Sequence, residues 1–248
     1  MRTRTTLFAL AAATLSTLTA APALSQTALT GGHWDLEVAY EDGTWDPHWH
    51  RHDTDNELEL GDVVMTGVFD GDATGFLAGV DAATPRPAGS QWDFTGAAGG
   101  GDLFIFPAGD PQPELPYLGN AAEEVDLGVF VGDVLTLTFE GLQSAPAGGD
   151  YSLYGFAGGG PRAFFSSEGD AATFAANTLQ LNAGSHQHYN WAFTEPGVYE
   201  LAFSASGTLQ DDNSFTDSGT FVATFNVVPE PAGLGLIGLA GLALVRRR

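Results

Sequence analysis

The 248-residue chain contains no cysteine and no lysine. Without thiols there is no disulfide framework, thiolate zinc site, iron–sulfur ligation, cysteine nucleophile or lipoprotein anchor, so soft-metal chemistry falls to histidine. Positive charge is scarce as well: eight arginines oppose 31 acids, a formal −23. That balance repels nucleic acid and anionic membrane surfaces alike. The sequence has no Gly-x-Ser-x-Gly elbow, phosphate-binding loop or His-Glu-x-x-His helix, and no catalytic residue is assigned. Amphipathic helical runs of useful length are missing too. What is present is 44% apolar residues with 33 glycines and 13 prolines. With many Val, Thr, Phe and Tyr beside them, these point to short strands and turns, an all-β chain.

The two ends read as addresses. Residues 1–25 have a basic start (Arg2, Arg4), an apolar stretch from Leu7 to Leu18, and small residues at Ala21, Ala23 and Ser25. This is the pattern of a helical signal peptide cut by signal peptidase. The other end runs Val228-Pro229-Glu230-Pro231, then apolar Ala232 to Val245, then Arg246-Arg247-Arg248. As a helix its apolar part reaches about 21 Å against a hydrocarbon core of about 30 Å, so length alone does not establish a span. Residues 229–248 nevertheless resemble the PEP-CTERM sorting signal, which joins a Pro-Glu-Pro motif to a short transmembrane helix and a basic stop. The resemblance implies a Gram-negative host, recognition by an exosortase, and delivery to the cell surface or an extracellular polysaccharide matrix. The positive-inside bias of the three arginines agrees with it.

Between the ends, residues 26–228 read as one domain, in which Arg51, Arg86 and Arg162 face 30 acids for a net −27. Most of these carboxylates read as a solvated coat. Alternation marks strands at Trp34 to Tyr40, Val134 to Phe139, Tyr189 to Phe193, Val198 to Phe203 and Phe221 to Val227. Turn signals recur at Asp42-Gly43, Asp70-Gly71, Gly132-Asp133, Gly148-Gly149-Asp150 and Pro196-Gly197, a spacing that predicts an immunoglobulin-like antiparallel β-sandwich. The Pro-rich stretch Pro107 to Pro116 reads as a loop inside this domain. Asp70-Gly71-Asp72 and Asp211-Asp212-Asn213 lack the twelve-residue EF-hand pattern and read as turns.

Only six histidines occur, in three tight groups: His33, then His48, His50 and His52, then His186 and His188. Residues two apart share a strand face, so each group lines one side of its strand. If Asp42-Gly43 is a two-residue hairpin turn, Glu37 pairs with His48, Asp35 with His50 and His33 with His52, all on one face. Leu36 against Trp49 and Tyr40 against Trp45 then fill the other face. Trp34 against Arg51 is a flaw in this register, and Pro47 requires an edge or a bulge. Farther on, His186, His188 and Asn190 face one way while Tyr189, Trp191 and Phe193 face the other. Imidazoles from two strands can supply three nitrogen ligands, with a carboxylate or water as the fourth. A single His-x-His is often only the wet side of a sheet. The grouping of all six, with Asp35, Glu37 and Asn190 placed as a fourth ligand or as orienting partners, favours a metal instead. Zinc is the first choice by ligand type and Cu²⁺ the alternative.

A second resemblance follows from the run Gly184-Ser185-His186-Gln187-His188-Tyr189-Asn190-Trp191 through Thr194-Glu195-Pro196-Gly197-Val198-Tyr199. It is similar to the surface-anchored repeat of actinobacterial wall proteins, a unit of the choice-of-anchor M domain. Gly32-His33-Trp34-Asp35, the Tyr40-Glu41-Asp42-Gly43 turn, and the stretch from Tyr117-Leu118-Gly119 through Glu123-Glu124 to Gly132-Asp133 resemble that domain too. The resemblance implies metal handling at the surface beside a metal-uptake system, and carries the metal positions onto His33, His48, His50, His52, His186 and His188. The chain departs from the pattern in its anchor, which here is of the exosortase kind. Three functions therefore compete: a surface protein binding a transition metal, an adhesive or matrix protein without metal function, and a zinc hydrolase or lyase.

Overall fold

The computed structural model describes residues 26–69, 83–110, 115–168 and 177–229. The signal peptide and the tail from Glu230 onward, including Pro231 of the sorting motif, lie outside the described residues, as does the Asp70-Gly71 turn. Among the described residues no helix is long and apolar enough to cross a membrane.

Sixteen strands and three short 3-10 segments make up the described chain. The strands are β1 (Thr27–Leu29), β2 (His33–Glu41), β3 (Thr44–Arg51), β4 (Asn56–Glu59), β5 (Val63–Phe69), β6 (Ala83–Pro85), β7 (Asp102–Phe106), β8 (Tyr117–Ala121), β9 (Val134–Ser144), β10 (Tyr151–Ala157), β11 (Gly160–Ser166), β12 (Thr178–Asn182), β13 (His186–His188), β14 (Asn190–Phe193), β15 (Gly197–Thr208) and β16 (Phe215–Pro229). They form a six-stranded sheet in the order β1-β5-β16-β15-β9-β12 and two five-stranded sheets, β11-β10-β14-β7-β6 and β13-β8-β2-β3-β4. The expectation of an all-β chain holds. The expectation of antiparallel pairing throughout does not: β1 with β5, β16 with β5, and β2 with β8 run parallel. Side-chain alternation is the same in either pairing direction, so periodicity could not distinguish them.

The inner faces of all three sheets meet in one continuous apolar core. Phe225 on the six-stranded sheet is its hub, with ring centroids 6.0 Å from Trp49 and 5.3 Å from both Trp191 and Phe193. The alternation Phe221, Ala223, Phe225, Val227 delivers these side chains inward, and each large one buried contributes about 1.5–3 kcal/mol. Pro229, first residue of the sorting motif, ends β16 opposite Phe69. A smaller cluster of Trp92, Phe94, Leu103, Ile105, Tyr154 and Ala192 covers the outer face of the β11-β10-β14-β7-β6 sheet. The 3-10 segment Ser90–Thr95 supplies its two largest rings.

The β2–β3 hairpin forms in the register read from its turn. Trp34 pairs with Arg51, Asp35 with His50, Leu36 with Trp49, Glu37 with His48 and Tyr40 with Trp45. Asp42 and Gly43 both adopt positive φ, +50° and +81°, as the two central residues of a type I′ turn must. The Trp34–Arg51 pair is no flaw: the guanidinium lies 5.5 Å from the indole centroid and is held by Asp53 at 2.6 Å. Pro47 is tolerated because β4 pairs with β3 only from His48 onward, which leaves that edge open at Pro47.

Candidate metal centre

Register across the β13-β8-β2-β3-β4 sheet aligns the polar residues in two rungs. One runs His188, Gly119, Asp35, His50, Glu57; the next runs His186, Ala121, Glu37, His48, Glu59. Residues paired across strands share a face, so every member of a rung points to the same side. Glycine and alanine at the centre of the rungs leave room for longer neighbours. A Cβ at position 119 would collide with Asp35 Oδ1 and lie 3.2 Å from His188 Cε1.

The two distant histidine groups converge. His33 ring centroids lie 4.7 Å from His52, 5.5 Å from His186 and 4.8 Å from His188, and His186 is 5.2 Å from His52. One ligand atom from each of His33, His186 and His188 fits within 4.8 Å of the others, and so does a set from Asp35, His52, Glu123 and His186. Tyr117 stacks on His188 at 3.9 Å, nearly parallel, and fixes its plane.

This face is not the wet side of the sheet. Asp35 and Glu37 are fully buried, and His48 and His50 are 3% and 8% exposed. The cover is the turn after β8, pinned where Ala122 N–H donates to Ser185 O at 3.0 Å and Gly184 N–H donates to Ala122 O at 2.8 Å. From it Glu124 N–H donates to Glu37 Oε1 at 3.3 Å, and Glu123 Oε1 lies 2.6 Å from His186 Nδ1. Glu124 Oε1 stands 3.7 Å from His48 Nε2. Glu57, Glu123 and Glu124 thus join the site although no histidine spacing marks them. In a chain with 31 acids their neighbourhood in space, not their type, makes them distinctive.

Hydrogen bonding fixes the tautomers. His48 Nδ1 lies 2.9 Å from Asp46 O, and His188 Nδ1 lies 2.9 Å from Leu118 O. A carbonyl only accepts, so each Nδ1 carries the proton and each neutral ring presents the Nε2 lone pair. Oriented imidazoles of this kind are what metal ligation requires. Burial pushes the His188 pKa down and favours that neutral form, opposed by its bond to Leu118 O. Burial also pushes Glu37 up to about 8 and raises Glu124.

Several buried atoms find no hydrogen-bond partner among the described residues: both oxygens of Asp35, Glu37 Oε2, His33 Nε2, His48 Nε2 and His50 Nδ1. No arginine among the described residues compensates. Arg51 is held by Asp53, Arg86 by Asp93, and Arg162 lies over Phe164.

Asn190 departs from its expected role. The strand read as continuous from His186 to Phe193 breaks at Tyr189, and its two parts join different sheets. Asn190 therefore lies away from the histidines; its Oδ1 accepts from Ala108 N–H at 3.0 Å and its Nδ2 donates to Tyr154 O at 3.3 Å. Both polar ends are spent on clipping backbone together. The other expected residues, His33, His48, His50, His52, His186, His188, Asp35 and Glu37, lie on one side of this sheet, covered except at His52, whose side chain is 47% exposed. Comparisons with family models, with curated proteins and with solved structures find no match to this chain.

Proposed function

We propose that this is an exported, surface-sorted protein, an immunoglobulin-like β-sandwich of the choice-of-anchor M kind. Its proposed ligand is a transition metal, zinc first and Cu²⁺ as the alternative, held by His33, His186 and His188 with Asp35 beside them. What carries this reading is Asp35, whose two buried oxygens lack hydrogen-bond partners among the described residues while imidazoles, and no arginine, stand next to them. An ionised carboxylate so placed costs several kcal/mol unless a cation meets it. Three imidazole nitrogens, with the Asp35 carboxylate beside them as counter-charge and a fourth position for water, suit Zn²⁺, and Cu²⁺ binds imidazole more tightly. In this role signal peptidase and an exosortase process the ends, the Pro229-Glu230-Pro231 tail directs sorting, and extracellular polysaccharide or a metal-uptake system is the neighbour at the surface.

A protonated His33 beside Asp35, 3.3 Å away, is the rival way to neutralise the carboxylate. Elemental analysis of the purified protein separates the two. Metal binding predicts a tightly held equivalent that disappears in His186→Ala/His188→Ala and in Gly119→Ala, whose new methyl displaces the Asp35 carboxylate. Because imidazole must be neutral to ligate, release is expected below about pH 6. Native material without stoichiometric metal, or metal content indifferent to these substitutions, overturns the reading in favour of a matrix role.

A further inference from the structure

The polar face extends well past the three histidines of the proposed centre. Strands β13 and β3 are separated by β8 and β2, so the backbones carrying His188 and His48 lie three strand spacings apart, about 14 Å. Among the described residues no set of ligand atoms within 4.8 Å of one another combines His186 or His188 with His48 or His50. Instead His48 groups with Glu57 and Glu124, and His50 with Glu37 and Glu123. One cation at His33, His186 and His188 leaves this second constellation uncompensated.

We infer a second, separate divalent-cation centre built on His48, Glu57 and Glu124, with Glu37 and His50 grouped beside it around Glu123. Two of these side chains, Glu37 and His48, are more than nine-tenths buried and His50 nearly so, and each leaves an atom without a hydrogen-bond partner among the described residues: Glu37 Oε2, His48 Nε2 and His50 Nδ1. The free nitrogens are chosen by the outer bonds of the rings. Asp46 O holds His48 at Nδ1, and Asp55 Oδ1 lies 3.1 Å from His50 Nε2, so the inward nitrogen of each presents its lone pair. The 3.7 Å between His48 Nε2 and Glu124 Oε1 is too long for a hydrogen bond. It is near the ~3.4 Å expected between two ligands at tetrahedral angles on one ion about 2.1 Å from each.

A hollow of about 280 Å³ lined by Glu41, Asp46, Glu57 and Glu124 along with Ala39, Thr44 and Trp45 opens on the Glu57–Glu124 side of this constellation. Its wall is acidic with no basic residue, an entry that concentrates cations and excludes anions. Glu123 links the two centres, since it contacts His186 and His52 of the first and groups with Glu37 and His50 of the second. The donor balance differs between them. The first is dominated by imidazole, whereas the second supplies at least as many carboxylates as imidazoles and so suits a harder ion such as Mn²⁺ as well as zinc.

The site rests on the proposed function's reading of buried, uncompensated donors as metal ligands, but its donors are different ones and its test separates the two. The full-length protein and its variants are saturated with Zn²⁺, dialysed in 0.5 M NaCl to strip diffusely held ions, and analysed for metal per chain. Two equivalents are expected in the wild type, one in His48→Ala/Glu124→Gln and one in His186→Ala/His188→Ala. Glu57→Gln/Glu124→Gln, which leaves the buried histidines and Glu37 in place, serves as a second variant and is also expected to hold one equivalent, with near-ultraviolet circular dichroism reporting the fold. Mn²⁺ titrated into His186→Ala/His188→Ala and followed by electron paramagnetic resonance should bind as one equivalent. A single wild-type equivalent that survives loss of His48 and Glu124 overturns the second centre and leaves the proposed function standing. An equivalent that survives only while His48 and Glu124 are present supports the second centre and removes the first. Failure of the His186→Ala/His188→Ala variant to bind Mn²⁺ overturns the assignment to a harder ion.

Discussion

Glu37 sits at a central position of β2 with no solvent exposure, one oxygen accepting from Glu124 N–H and the other without a hydrogen-bond partner among the described residues. Desolvation is the largest cause of its rise to about 8, partly offset by backbone hydrogen bonds from Glu124 and Glu123. In the metal-free protein the folded state therefore keeps a proton at neutral pH that the unfolded chain releases near 4.5. A carboxyl with a raised folded pKa gives stability that is complete below the unfolded value and is lost as pH climbs through about 8. Chelated protein should thus lose thermal stability between pH 5 and 8, by at most about 5 kcal/mol at about 1.4 kcal/mol per pKa unit. Glu37→Gln should flatten that slope and expose the opposite one from His188, whose lowered pKa removes stability as pH falls below 6.5. Melting curves in excess chelator across this range test it; parallel curves for the two proteins would show that Glu37 is not the group responsible.

At the scale of elements, the 3-10 segment Ser90–Thr95 is tied down by two side chains, Ser166, whose Oγ donates to Phe94 O at 2.7 Å, and Arg86. Arg86, 7% exposed, donates from Nε to Trp92 O at 3.1 Å and from Nη2 to Gly89 O at 3.2 Å, and pairs with Asp93. The bond to Asp93 meets an exposed carboxylate and contributes little. Each carbonyl keeps a second donor, Thr95 Oγ1 on Trp92 O at 2.8 Å and Trp92 N–H on Gly89 O at 3.2 Å, so losing the guanidinium costs only the net value of its bonds, about 0.5–1.5 kcal/mol each. Arg86→Met is therefore expected to lower the melting temperature by about 2–4 °C per kcal/mol for a chain of this size, without changing metal content. A loss of metal in this variant would mean that the apolar cover of the β11-β10-β14-β7-β6 sheet is coupled to the polar face of the β13-β8-β2-β3-β4 sheet.

The same scale explains what the sequence could and could not disclose. The β2–β3 register was legible because a two-residue turn fixes every pair that follows it, and Asp42-Gly43 names that turn. The shared face of His48, His50 and His52 was legible from a period of two. The parallel partnership of β2 with β8 was not, since it joins residues more than 80 positions apart and leaves no local trace. That pairing puts Gly119 beside Asp35 and carries the Glu123–Glu124 turn over the polar face, so the burial of the site was hidden along with it. Tyr189 concealed the break between β13 and β14 because alternation runs through it undisturbed, which is why Asn190 looked like a neighbour of the histidines.

For the molecule as a whole, two electrostatic problems of different range are superposed. Residues 26–228 carry a net −27 spread over the surface, and a few carboxylates are confined beneath the Glu123–Glu124 turn. Surface repulsion is long-ranged and is screened as the Debye length falls from about 30 Å at 0.01 M salt to about 3 Å at 1 M. The buried carboxylates are shielded from mobile ions by the protein around them, so salt cannot substitute for a bound cation. Raising NaCl over this range should therefore stabilise both metal-free and metal-loaded protein, while the gap between them persists. That gap follows mass action, about 2.7 kcal/mol when free metal is a hundred times the dissociation constant. Calorimetric scans with Zn²⁺ or with chelator at the two salt concentrations measure it directly. If 1 M NaCl closed the gap, the cation would be part of the diffuse cloud around an acidic coat, and the covered face of the β13-β8-β2-β3-β4 sheet would have no specific ion to hold.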